Sequence, residues 1–122
     1  MNSNEKTISI AIPPHGLIEH LRSMTDANDH SGARWTVANW IVQQLRAQGG
    51  TIADSDFRKA MSFYCVFESI ATIHAEIGHL PTEVFELRYR RTEEMLEFIG
   101  KANPEAADAI RKVLSQKGIP KV

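Results

Sequence analysis

A mainly α-helical fold with one short N-terminal strand is predicted from three observations. Apolar residues recur at three- and four-residue spacing over most of the chain. Cap-forming Ser, Thr, Asp or Asn residues stand ahead of several of those stretches, and Gly or Pro follows them. Only the segment Thr7 to Ile12 breaks the pattern, alternating isoleucine with small residues at the period of a half-buried strand before Pro13-Pro14 stops it. A lone strand leaves its backbone groups unpaired, so it needs a partner from elsewhere in the chain or from a second copy.

The elements follow in order. Leu17, Ile18, Leu21 and Met24 mark a first helix over about 14 to 26, and the run Asp26 to Gly32 is rich in turn formers. Thr36 stands as N-cap of a second helix with Val37, Ala38, Ile41, Val42 and Leu45 on one face, Trp40 pointing away from it, and Gly49-Gly50 closing it. Asp54-Ser55-Asp56 precedes a third helix from Phe57 to about Gly78. Its broad apolar arc of Phe57, Ala60, Phe63, Tyr64, Val66, Phe67, Ile70, Ala71, Ile73 and Ile77 predicts the central helix of a bundle. Thr82 opens a fourth helix through Ile99, and Asn103-Pro104 opens a fifth that runs to Gly118. The predicted organisation is a strand-helix-helix head over 1–50 and a three-helix body over 51–122, joined as one compact unit.

Composition narrows the function classes. Fourteen basic and fifteen acidic side chains give a net charge of −1 in 122 residues, a balance that argues against a general polyanion binder. A single cysteine excludes an intrachain disulfide and points to a reducing, cytoplasmic setting. No apolar run approaches the roughly 20 residues of a membrane span.

The order of elements in residues 6–48, strand, proline stop, amphipathic helix, turn and second helix, resembles the ribbon-helix-helix DNA-binding proteins of the Arc/MetJ type. The resemblance implies a homodimer whose strands pair into an antiparallel ribbon, with Ile8, Ile10 and Ile12 in the shared core and Thr7, Ser9 and Ala11 facing the major groove. It further implies that Arg34, Trp35 and Thr36, at the start of the second helix, grip a DNA phosphate through backbone N–H groups. The function so implied is that of a small regulator or a plasmid or phage accessory factor.

The rest of the chain offers little catalytic chemistry. His74 and His79 are five residues apart, which turns one by ~140° from the other on a helix and prevents shared chelation. Glu76-x-x-His79 matches one element of a helical di-metal site, but no second copy exists. Neither metal nor cofactor is expected. Cys65 has no local base or CxxC partner and reads as a packing residue. With no phosphate loop, nucleophile elbow or paired carboxylates, the sequence reads as non-enzymatic.

The more informative feature is polar side chains placed within apolar arcs. His74 projects near the centre of the third helix's arc. On the fourth, Arg88 and Arg91 fall within the inward arc of Val84, Leu87, Met95, Phe98 and Ile99. Buried arginines need a carboxylate, a carbonyl or a bound anion. Glu68 on the facing helix is the natural internal partner. The functional alternative is that Arg88, Tyr89, Arg91 and His74 meet an acidic protein partner, making the chain an inhibitor, immunity protein or adaptor.

Overall fold

The computed structural model describes residues 8–115, apart from the side chain of Thr51. Five helices follow one another: α1 (His15–Asp26), α2 (His30–Ala47), α3 (Asp54–Ile77), α4 (Thr82–Ala102) and α5 (Pro104–Ser115), with a single 3-10 turn over Gly49–Thr51. The mainly α expectation is met, and no strand occurs among the described residues.

Residues 8–14 carry no regular secondary structure, and side chains take the place of a paired strand. Gln48 binds Ser9 at two points, accepting from its N–H and donating Nε2 to its carbonyl at 2.6 Å. Gln44 accepts from the N–H of Ala11, and on the opposite edge Asn103 donates to the carbonyl of Ile10 at 2.9 Å. Side-chain amides carry the same donor and acceptor groups as a peptide, so they satisfy this segment without a second strand. Ser9 and Ala11 are exposed and Ile10 is buried, as the alternation predicts. Ile12 departs from it at 53% exposure, and Thr7 lies outside the described residues.

Local chemistry accounts for the helix boundaries. Pro14 precedes α1, and its carbonyl accepts from Leu17 and Ile18. The largest boundary correction concerns α2, which starts at His30 rather than after Thr36. Asn28 takes a left-handed conformation (φ 64°), the chain turns sharply, and the Asp29 carboxylate caps the helix by accepting from the N–H of Gly32 at 3.0 Å. Gly32 is needed inside this first turn, because a Cβ there would lie 2.2 Å from Asp29 Oδ2. Thr36 is consequently a mid-helix residue, its hydroxyl donating to the Gly32 carbonyl. Gly78, at φ 76°, ends α3 with its N–H on the His74 carbonyl. Helix α4 continues through Gly100, where the backbone approaches Ala107 of α5. Asn103 caps α5 as predicted, accepting from the N–H groups of Glu105 and Ala106.

The central helix is α2 rather than α3. It touches all four other helices and buries Ala33, Arg34, Val37, Ala38, Ile41, Val42 and Leu45. Around it a single buried cluster draws in Leu21 of α1, Phe63 and Phe67 of α3, Leu96 and Ile99 of α4, and Ile110 and Leu114 of α5. The arc of α3 is wide because the helix meets both α2 and α4. Its last two turns run past the core, leaving Ala71, His74 and Ile77 exposed. This overhang corrects the inward placement of His74, and it forms one wall of the site below.

Candidate functional site: an arginine-lined cleft between three helices

A cleft of about 860 Å³ lies where the N-terminal half of α2, the overhanging end of α3 and the first turns of α4 meet. That volume falls within the range of small-ligand sites, roughly 300 to 1,000 Å³. Its walls include Ser31 and Trp35 from α2, Glu68 and His74 from α3, and Phe85 and Arg88 from α4.

Each wall follows from the local sequence. Ser31 and Trp35 are four residues apart, hence on one face of α2, and Arg34 lies on the same side one turn from Ser31. Trp35 packs against Tyr64 with ring centroids 5.6 Å apart, which fixes its indole at the cleft edge. On α4, Phe85 and Arg88 are three apart, and the Arg88 guanidinium lies 4.9 Å from the Phe85 ring centroid, a cation–π arrangement. Arg88 also donates to the Ser31 hydroxyl, so one side chain joins α4 to the start of α2.

The electrostatics of this corner are unusual. Arg88 is 6% exposed and Arg34 is fully buried, yet among the described residues neither forms an ion pair with a carboxylate. All three Arg34 guanidinium nitrogens are buried without a hydrogen-bond partner. Burial, reinforced by repulsion from Arg88 and only partly offset by attraction from Glu93, pushes the Arg34 pKa down to about 10. Burial also lowers that of Arg88. The expected internal partner, Glu68, is exposed and lines the cleft without pairing with either arginine. Arg91 is one-third exposed and binds Glu94 on its own helix at 2.6 Å.

The structure therefore divides the predicted residues. From the acidic-partner set it brings Arg88 and His74 to one cleft, while Tyr89 and Arg91 lie outside its lining. From the DNA set, Trp35 lines the cleft, Arg34 is buried beside it, and Ser9 and Ala11 lie on the exposed side of the N-terminal segment. The predicted phosphate grip at Arg34 to Thr36 has no helix terminus to use, because α2 begins four residues before Arg34 and Asp29 already caps it. Sequence reasoning missed Ser31, Phe85 and the buried state of Arg34. Its signal was available, since Arg34 continues the stripe of Val37, Ala38, Ile41 and Leu45 one turn toward the N-terminus.

No family model, curated protein or solved structure matches this chain. Among the described residues no group of three or more His, Cys, Asp or Glu is placed to hold a metal ion, and no helix is long and apolar enough to cross a membrane.

A second, smaller hollow of about 300 Å³ lies between α3 and α4, lined by Ser62, Cys65, Val66, Ser69, Val84 and Leu87 among others. Cys65 is exposed there, which corrects its expected packing role.

Proposed function

We propose that this chain is a small non-catalytic binding module that takes an acidic segment of a partner protein into the cleft between α2, α3 and α4. One observation carries the reading: two arginines are withdrawn from water in one corner, and among the described residues neither forms an ion pair with a carboxylate. Burying a cation without an ion-pair partner is expensive, and a fold that does so twice in one corner has a use for the charge when an anion arrives. Trp35 and Phe85 beside them supply the flat apolar surfaces that anchor an interface.

Titration with an octaglutamate peptide, followed by Trp35 fluorescence in a Trp40→Phe background, tests this. Saturable binding that weakens at least tenfold in Arg88→Met and is missing for octaglutamine is the expected result. Equal binding of the two peptides overturns the reading.

The ribbon-type DNA reading is favoured by a separate observation, the exposure of Ser9 and Ala11 around a buried Ile10. It requires Gln44 and Gln48 to release the edge of the segment to a second copy, and Thr7, Ser9 and Ala11 to meet base edges. Anisotropy of a labelled random-sequence duplex distinguishes the two. Binding that falls steeply with salt favours the ribbon, and a flat titration at micromolar protein favours the cleft.

A further inference from the structure

The face of α3 turned away from the core carries a pattern that the single chain leaves unused. Arg58, Ser62, Cys65, Ser69, Thr72 and Glu76 follow one another at alternating spacings of four and three residues, and all six are exposed. On a regular helix they fall within about 40° of one line along its surface. Small side chains fill the middle of that line, a base ends it toward the N-terminus and an acid ends it toward the C-terminus. The line is also its own reverse with the charges exchanged. About the level of Phe67, Arg58 mirrors Glu76, Ser62 mirrors Thr72 and Cys65 mirrors Ser69.

A surface complementary to its own reverse is what a two-fold interface requires, because each contact is then made twice with the roles exchanged. In an antiparallel pair of α3 helices centred at Phe67, Arg58 of each copy lies opposite Glu76 of the other, and the small residues between them let the helix axes approach closely. Neither end of the line is firmly engaged within the chain. Arg58 reaches Asp54 at 3.8 Å with the two side chains 79% and 91% exposed, and Glu76 forms no ion pair among the described residues.

An independent observation lies along one flank of the line. The hollow of about 300 Å³ between α3 and α4 has half-buried apolar walls in Val66, Ile73, Val84 and Leu87. A two-fold axis perpendicular to α3 sets this flank of one copy against the same flank of the other, so a single contact covers both hollows. Burial of those walls favours association. The Arg58–Glu76 pairs, weak one by one at the surface, fix its direction and register. Glu68 borders the opposite flank and approaches its own copy near the axis, a like-charge contact at a margin where water and salt screen it.

We propose that this face of α3 binds the same face of a second copy, antiparallel about a two-fold axis at Phe67, with an Arg58–Glu76 pair at each end. The surface is separate from the Arg88 corner and from the N-terminal segment, and it does not rest on the reading of either.

Sedimentation equilibrium of the full chain over about 1 to 200 μM tests this, since a self-association must follow mass action. A reversible dimer is expected. Arg58→Glu and Glu76→Arg are each expected to weaken it at least tenfold, with circular dichroism unchanged because both side chains are exposed. An equimolar mixture of these two variants should recover the dimer, since each then offers the charge that the other needs. Lys112→Glu, the same change of charge on an exposed position of α5, should leave association as in wild type. Ser69→Cys, which sets a second thiol opposite Cys65 of the other copy, should oxidise to a covalent dimer faster than wild type. A monomer throughout the range overturns the proposal and leaves the face to a different protein. A dimer untouched by both charge reversals overturns it as well, by placing the contact elsewhere, and so does a mixture no tighter than the single variants.

Discussion

The two ends of α2 carry polar side chains that are treated in opposite ways. At the C-terminal end, Gln44 and Gln48 are matched to the backbone of Ser9 and Ala11, so a segment that reads as a strand is held without one. At the N-terminal end, Arg34 is fully buried with no hydrogen bond from its guanidinium, and Arg88 shares its corner without an ion pair. One end is complete in the isolated chain and the other is not. Since buried polar groups in folded proteins are nearly always satisfied, the incomplete end is where function is to be sought.

The sharpest way to break this contrast is Arg34→Met, which keeps an unbranched apolar stem and removes the charge. Stability should rise by about 3 kcal/mol, on the order found when buried ions are replaced by apolar side chains and in the direction of the lowered Arg34 pKa. Chemical denaturation measures it. The pH dependence has a fixed sign: burial lowers the folded pKa to about 10, below the ordinary arginine range, so between the two the unfolded chain holds the extra proton. The penalty is therefore full below pH 10 and is lost as pH rises from there toward the ordinary arginine range, which narrows the gap between wild type and variant. A variant that is less stable than wild type at neutral pH would show that the packing of the Arg34 side chain outweighs the cost of burying its charge.

Asn103→Ala probes the satisfied region and should cost about 2 kcal/mol, because it removes the α5 cap and the bond to the Ile10 carbonyl together. Gln48→Ala should cost about 1 kcal/mol, with most of the change local and visible as faster amide exchange at Ser9. Arg91→Ala ranks last, within about 0.5 kcal/mol, since its ion pair with Glu94 is part-exposed and lies within one helix. A large loss of peptide binding in that variant would move the working surface outward along α4.

Much of the fold was legible because its signals are local. Pro14 before α1, Gly78 after α3 and Asn103 ahead of α5 act on atoms within a few residues, and each boundary falls where the residue type requires. The start of α2 was misread for a reason equally local. Gly32 looks like a turn residue, yet its role is to leave room for the Asp29 carboxylate inside a helix. Placing the cap at Thr36 then hid Arg34 from the test applied to Arg88 and Arg91, namely whether a charge falls on an apolar stripe. The N-terminal strand was unreadable in a different sense. Its alternation is real, but what pairs it is a set of amides 33 to 93 residues away, and no local pattern encodes that. The cleft depends on α3 outrunning its neighbours, a property of relative lengths that a helical projection does not contain.

Asn103 caps α5 with its oxygen and holds Ile10 with its nitrogen, so it joins the first described segment to the last helix. During synthesis, residues 8–12 leave the ribosome roughly ninety positions ahead of this side chain, and at about 5–20 residues per second they wait several seconds for it. Until then the Ile10 carbonyl has only water for company. The segment is thus fastened in two stages, first by Gln44 and Gln48 and last by Asn103, and a nascent chain stalled before α5 leaves the Ile10 carbonyl open on the far edge.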